Sequence, residues 1–344
     1  MNPDWRNTLE ARGAVIDSGC VADFGDAAAE LEAARSGSVL ADLSHLGVLE
    51  FSGEDAQGFL QGQLTCDVNS LAAGSSSFGG YCSAQGRLLA DFLLWRTPSG
   101  FRMLLARSIT GAVGKRLAQY VLRAKVKIAD SSDERVLLGA AGPGAGPALA
   151  AHFGEIPRRP HEVRRHPEGA TVIALGEERF LVEVAPALAI EIQRALAKTL
   201  AFVGTPCWEW LDIRSGIPWI GTPTQEQFVP QMANLDLLGG ISFQKGCYPG
   251  QEIVARTRYL GRLKRRMFLA NVAAQEIPAA GDPLYCDDLA DQACGTVVAA
   301  QRSPAGGCDL LAVVSIESQA ASSVRLKSPQ GSALQFLKLP YQLD

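Results

Sequence analysis

Lys245-Gly246-Cys247-Tyr248-Pro249-Gly250-Gln251-Glu252 is the stretch from which the rest of the chain is read. Gly246 and Gly250 accept backbone angles closed to other residues, and Pro249 has the fixed φ that suits the first turn of a helix. The pattern predicts that helix over Gln251–Tyr259, stopping at Gly261. Cys247 then stands just before a helix N-terminus, where unpaired N–H groups and the ammonium of Lys245 favour thiolate over thiol. A thiolate is both a nucleophile and a soft metal ligand. The plain alternative is a small core cysteine in a turn that the glycines merely shape.

C-terminal to Gly261, short apolar runs at 267–272, 295–300, 310–316, 324–326 and 334–339 are separated by Gly, Pro and Asp turns, the spacing of a small antiparallel barrel. Arg262, Lys264, Arg265 and Arg266 stand at its entrance, read as an exposed strand edge rather than an RNA grip. N-terminal to the motif, Trp208, Trp210 and Trp219 crowd one short span. They are ordinary core or a face for a flat heteroaromatic ligand.

Earlier still, alanines and acidic residues predict a helix over 20–35, and 38–51 alternates as one or two strands. A helix begins near Ser52 and runs through Leu60, followed by Gln61-Gly62-Gln63-Leu64-Thr65-Cys66-Asp67-Val68, whose polar residues cap and turn locally. Residues 78–83 and 88–95 form a hairpin around Ala84-Gln85-Gly86-Arg87, with 101–106 extending the sheet. Arg87 at that tip is a candidate clamp for an anion, against the commoner solvated turn arginine. A helix is expected over 108–120, strands over 125–130, 135–140, 170–175 and 180–184, and helices over 148–153 and 187–200. The glycines at 142, 144 and 146 do not form a dinucleotide fingerprint, because the third glycine would fall at 147, which is proline.

With 344 residues, 47% hydrophobic and 20% charged, the chain is long enough for two or three domains. A net charge of −4 argues against a general nucleic-acid binder, so no direct nucleic-acid partner is expected. The eight cysteines include no CxxC pair and the first residues are polar, which reads as a reducing cytoplasm. No apolar run is long enough to span a bilayer, and four scattered histidines make a preformed zinc site an unfavoured reading.

These residues carry a resemblance. Phe59-Leu60-Gln61-Gly62-Gln63-Leu64-Thr65 with Asp67-Val68, Gly216-Ile217-Pro218, Phe228-Val229-Pro230-Gln231 with Asn234-Leu235, Gly239-Gly240-Ile241-Ser242-Phe243, the Lys245–Glu252 string and Val254-Ala255-Arg256 resemble, in order, the YgfZ family of folate-binding proteins. That family is related to the aminomethyltransferase (T-protein) of glycine cleavage. It includes mitochondrial iron–sulfur assembly factors.

The resemblance implies an α+β fold of two interwoven lobes around a central channel, with a C-terminal antiparallel barrel. The expected parts are 1–130, 131–261 (carrying the motif) and 262–344. It also implies a tetrahydrofolate-type ligand, iron–sulfur enzymes or cluster carriers as partners, and a role in making or repairing iron–sulfur enzymes, including those that modify tRNA.

Site residues follow residue by residue. Cys247 and Lys245 are the chemical pair, with Cys247 a candidate transient iron ligand. Gly246, Tyr248, Gly250, Gln251 and Glu252 form the motif turn, and Trp208, Arg87, Asp91 and Arg214 are candidate folate contacts. The transferase's acidic pair falls on Ala90-Asp91 and its folate-contacting glutamate on Arg214. The family's usual turn lysine is Gln85 here, and Leu46 replaces an expected ring. The loss of one carboxylate favours an accessory protein over the alternative, a folate-dependent aminomethyl transferase.

Overall fold

The computed structural model describes residues 1–176, 178–259, 261, 263–287, 292–321 and 323–343. The chain forms two compact units, each assembled from separate stretches. The first takes residues 1–56, 70–77 and 93–208, and the second takes 57–69, 78–92 and 209–344. Strands Ser76–Cys82 and Leu88–Thr97 and helix Thr205–Arg214 each contribute residues to both.

The first unit contains a mixed six-stranded sheet in the order 163–165, 171–174, 179–184, 136–141, 39–42, 201–203, of which the last pair is parallel. Side chains alternate across a strand, so Val136, Leu138 and Ala140 share one face with Val182 and Val184. Helices Ala145–Phe153 and Pro186–Leu196 cover that face through Leu149, Ala189, Ile192 and Leu196, all buried. Fully burying each such aliphatic side chain contributes roughly 1.5–3 kcal/mol. Glu183, with no exposure, is neutralised by Arg102 at 2.7 Å and by Arg135.

The expected helix over 20–35 is corrected. Cys20–Asp23 is a strand paired with Val15–Asp17, and the helix covers only Ala27–Ser36, capped by the Asp26 carboxylate. Gly19 and Gly25 lie at positive φ and break the alanine-rich run. The expected strands over 38–51, the 76–106 meander and the helix after it are present, as 39–42, 46–52, 76–82, 88–97, 100–106 and Arg107–Ala118.

In the second unit, residues 265–337 form a curled antiparallel sheet in the order 324–326, 283–286, 293–302, 308–315, 265–272, 334–337. One antiparallel bridge, Arg325↔Ala333, joins its two edges. Alternation again sorts the residues. Ala270, Val272, Leu310, Ala312 and Val314 fill the interior of the curl, while Met267, Leu269, Leu311 and Val313 face Leu88, Ile213, Phe228, Leu235 and Val254. The strand at 283–286, absent from the sequence reading, pairs with both 293–302 and 324–326. Cys286 and Cys294 are joined as a disulfide with Cα atoms 5.9 Å apart, where the sequence reading left all eight cysteines as thiols.

The basic run at 262–266 is also corrected. Arg262 lies outside the described residues, and Arg266 is buried in a two-pronged pair with Asp236 at 3.0 Å on each side. Arg266 also donates to the Gln231 carbonyl, and Asn234, at φ 58°, donates to the Met267 carbonyl. The Phe228–Asp236 stretch is thereby tied to the first strand of the curled sheet. No helix is long and apolar enough to cross a membrane among the described residues.

Candidate functional site

The 239–243 stretch ahead of the motif is irregular backbone, so its polar groups need partners outside regular structure. They come from the 57–69 segment, which lies in the same unit. The Thr65 hydroxyl donates to the Gly240 carbonyl and accepts from the Gly80 N–H at 2.7 Å, while the Thr65 carbonyl accepts from the Ser242 N–H at 2.9 Å. Gln61 closes its own loop by bonding Asp67 and the Val68 N–H, the local capping its sequence predicts.

Lys245 is the second tie. Its ammonium donates to the Leu64 and Cys66 carbonyls at 2.7 and 2.8 Å and lies 5.4 Å from the centre of the Tyr248 ring. Partial burial moves its pKa down from the usual lysine value. The ammonium is thus a three-sided clip between segments distant in sequence, and these three contacts do not include the expected Cys247 sulfur. Tyr248 is buried and its phenol is pushed up by that burial, so it is neutral.

Between these two anchored side chains Cys247 is exposed. The other described thiols differ. Burial pushes Cys66, Cys82 and Cys207 up to about 12.

Helix Gln251–Tyr259 begins at Gln251, so Pro249 precedes it rather than opening its first turn, and Cys247 stands four residues before the first helical residue. The helix has the bounds read from the sequence, and a terminus four residues away is a weak source of positive potential at the sulfur. What Gly250 does is dock. Gly250 lies at φ +78°, and a Cβ there would stand 2.5 Å from the Ser83 carbonyl oxygen and from the Gly86 Cα. The tip Ser83–Arg87 is closed by the Ser83 N–H to Arg87 carbonyl bond at 2.8 Å. Arg87 donates to the Gln227 carbonyl at 2.8 Å, beside this contact. Glu252 and Arg256 form an exposed i,i+4 pair, worth only a few tenths of a kcal/mol.

A second group lies four residues farther along the hairpin strand, about 13 Å from Arg87 at the usual strand rise. Residues 225–228 bond to Leu88 and Leu89, which places the 217–228 loop along this strand. Asp91 is 1% exposed. One of its carboxylate oxygens accepts the Ile220 N–H at 2.6 Å, and the other has no partner. Burial pushes its pKa up to about 6, against the pull of that hydrogen bond. Asp212 repels it and is itself held by Trp219 Nε1 at 2.9 Å. Arg214, two residues on, is 3.8 Å from Asp309, which also accepts from Trp210 Nε1 at 2.9 Å.

Of the residues read from sequence, Lys245, Gly246, Cys247, Tyr248, Gly250 and Gln251 gather with the Arg87 turn, and Asp91 and Arg214 gather around the 212–220 stretch. Trp208 belongs to the other unit. It is 1% exposed and lies on Gly139, whose missing Cβ makes the room, with Arg179 4.7 Å from its ring centre. Sequence reasoning missed Thr65, Asp212 and Asp309 as anchors. The Trp-rich span, which needs acceptors for three indole N–H groups, was the available signal for the two aspartates. Among the described residues no three His, Cys, Asp or Glu side chains are grouped to hold a metal ion.

Comparison with known proteins places this arrangement. The family model for the GCVT N-terminal domain matches residues 21–162. The chain is 39% identical over 300 residues to the tRNA-modifying protein YgfZ of Edwardsiella ictaluri (strain 93-146), covering 86% of this chain and 90% of that one. It is 34% identical to the protein of the same name from Pectobacterium carotovorum subsp. carotovorum (strain PC1), covering 91% and 94%. Among solved structures, the glycine cleavage system aminomethyltransferase T of Bartonella henselae is similar in fold, with a TM-score of 0.83 over 99% of this chain and 97% of that one at 18% identity. The fold is that of the aminomethyltransferase, a mixed α+β fold with a curled C-terminal antiparallel sheet, and by sequence the chain belongs to the YgfZ family.

Proposed function

We propose that this protein is a tetrahydrofolate-binding accessory factor for making or repairing iron–sulfur enzymes, among them enzymes that modify tRNA, and that it works in the cytoplasm. The observation that carries this reading is the presentation of Cys247, an exposed thiol flanked by Lys245, bonded to two carbonyls, and by the buried Tyr248. A thiol held that way meets a partner at one defined point without the ordering cost of a free loop. Its counterpart is an iron–sulfur enzyme or a cluster carrier protein, and a cluster that meets it is cargo. The name of the two relatives, tRNA-modifying protein, supports the tRNA side of the reading.

The residues fit a reduced folate. The unpartnered, buried Asp91 oxygen is an acceptor without a donor, as an N–H-rich pterin would supply. Arg87 and Arg214 are guanidinium groups suited to the carboxylates of the glutamyl tail. Once bound, a reduced folate supplies nitrogens that carry one-carbon units. Asp91 would orient it, and the two arginines would hold its anionic end. Aminomethyl transfer is not part of this reading, because Ala90 is a fully buried methyl where the transferase has a carboxylate.

The test is direct. Cells lacking the protein should lose iron–sulfur enzyme activity in a manner that depends on folate supply. Titration with tetrahydrofolate should change the fluorescence of Trp210 or Trp219 and release heat. Unchanged enzyme activities, or no signal at saturating folate, would contradict the proposal.

A further inference from the structure

Helix Gln251–Tyr259 has Cys247 ahead of its first turn and a concentration of positive charge at its other end. Arg256 and Arg258 lie in its last turn. The chain turns back at Gly261, whose N–H donates to the Arg256 carbonyl at 2.9 Å, and exposed Lys264 and Arg265 follow. Glu252 is the acidic residue of this stretch, set against those four cations. The surplus is local, since the whole chain carries −4.

Aromatic rings accompany the charge. Tyr259 is 67% exposed, and its ring centre is 6.1 Å from that of Phe243, over which the Arg258 guanidinium lies at 5.5 Å. The helix is held to the fold by its buried Val254, while Tyr259 at its end stays exposed.

Carboxylates of an acidic protein would satisfy the cations but not the rings. Nucleic acid satisfies both, with phosphates for the point charges and bases whose faces stack on aromatic rings and guanidinium planes. We infer that the end of this helix and the segment after it, bearing Arg256, Arg258, Tyr259, Lys264 and Arg265, dock the phosphate backbone and an unpaired base of a folded RNA. Nine residues at about 1.5 Å each place that RNA roughly 14 Å from the start of the helix near Cys247. This replaces the expectation of no direct nucleic-acid contact, because the fold removes Arg266 from the basic run and brings the end of the helix to it. The inference rests on the tRNA side of the reading above.

The experiment uses the full chain and an unmodified transcribed tRNA, followed by fluorescence anisotropy. With three net phosphate contacts, affinity should fall roughly 20- to 40-fold between about 50 and 200 mM salt. The triple variant Arg258→Glu, Lys264→Glu, Arg265→Glu should weaken binding at least as much. Tyr259→Ala should weaken it roughly fivefold or more while leaving the salt slope unchanged. Continued protection of the buried Cys66, Cys82 and Cys207 from alkylation in each variant checks that the fold is intact.

No binding at low salt and about 100 µM protein, or equal binding by the triple variant, would overturn the inference. So would competition by polyglutamate as effective as by RNA, which would assign an acidic protein instead. Failure here with success in the folate and deletion-strain assays removes only this inference. RNA binding with failure of those assays removes the proposed function and leaves the surface.

Discussion

Gly86 and Gly250 meet backbone to backbone: a Cβ on Gly250 would stand 2.5 Å from the Gly86 Cα, and one on Gly86 would stand 3.1 Å from the Gly250 carbonyl oxygen. Both lie at positive φ, +70° and +78°, so each is required twice, by its own conformation and by its neighbour. This contact joins the hairpin tip to the motif turn.

Gly250→Ala should therefore cost about 2–4 kcal/mol, since a strained conformation and a backbone clash add. Gly246→Ala has nothing within 4 Å of the new methyl and should stay within about 0.5 kcal/mol of the parent. Urea denaturation of the pair decides it, and equal losses would show that the docking contact is not what the glycines serve.

Lys245→Met keeps the stem and removes the ammonium, leaving the Leu64 and Cys66 carbonyls without their donor. A loss of roughly 1–3 kcal/mol follows from two unsatisfied buried acceptors. A melting temperature unchanged from the parent would restore the simpler reading, in which Lys245 acts on the thiol alone.

Asp91 gives a pH dependence with a definite sign. Its pKa in the folded chain is raised to about 6 from 3.8, so the fold prefers the protonated form. Its contribution to stability is fully present below about pH 4 and is lost as pH rises through about 6. Asp91→Asn should flatten the stability profile over that window and be more stable at pH 7 by on the order of 2–3 kcal/mol. It should also weaken folate binding if that oxygen accepts from the ligand. A variant whose profile keeps the parent's slope would remove Asp91 as its source.

Much of this was legible in the sequence. The hairpin around 84–87 announces itself by turn chemistry and the helix at 251–259 by its glycine stop, because both depend on near neighbours. Partners distant in sequence left no local trace. Lys245 reads as a cation beside a thiol, yet its partners are carbonyls about 180 residues away. Helix Thr205–Arg214 was not read because Cys207, Trp208, Trp210, Asp212 and Ile213 are all buried, and burial around the whole circumference erases the amphipathic stripe on which such a reading depends. The first helix was overextended because alanine content does not register a strand pairing three residues away.

Purified protein should not make methylenetetrahydrofolate from an aminomethyl-loaded carrier protein, because Ala90 is buried and offers no proton acceptor. Robust turnover in that assay would reinstate the transferase reading.

The most direct test of the account is Cys247→Ala, scored by complementation in a deletion strain and by melting temperature. The side chain is exposed, so deleting its sulfur removes no packing and should move stability by no more than about 0.5 kcal/mol. The account predicts lost iron–sulfur enzyme activity at an unchanged melting temperature, with the parent's Cys247 alkylated in the native state while Cys66, Cys82 and Cys207 react only on unfolding. Full complementation by Cys247→Ala would contradict it and leave the Lys245–Glu252 turn a structural element.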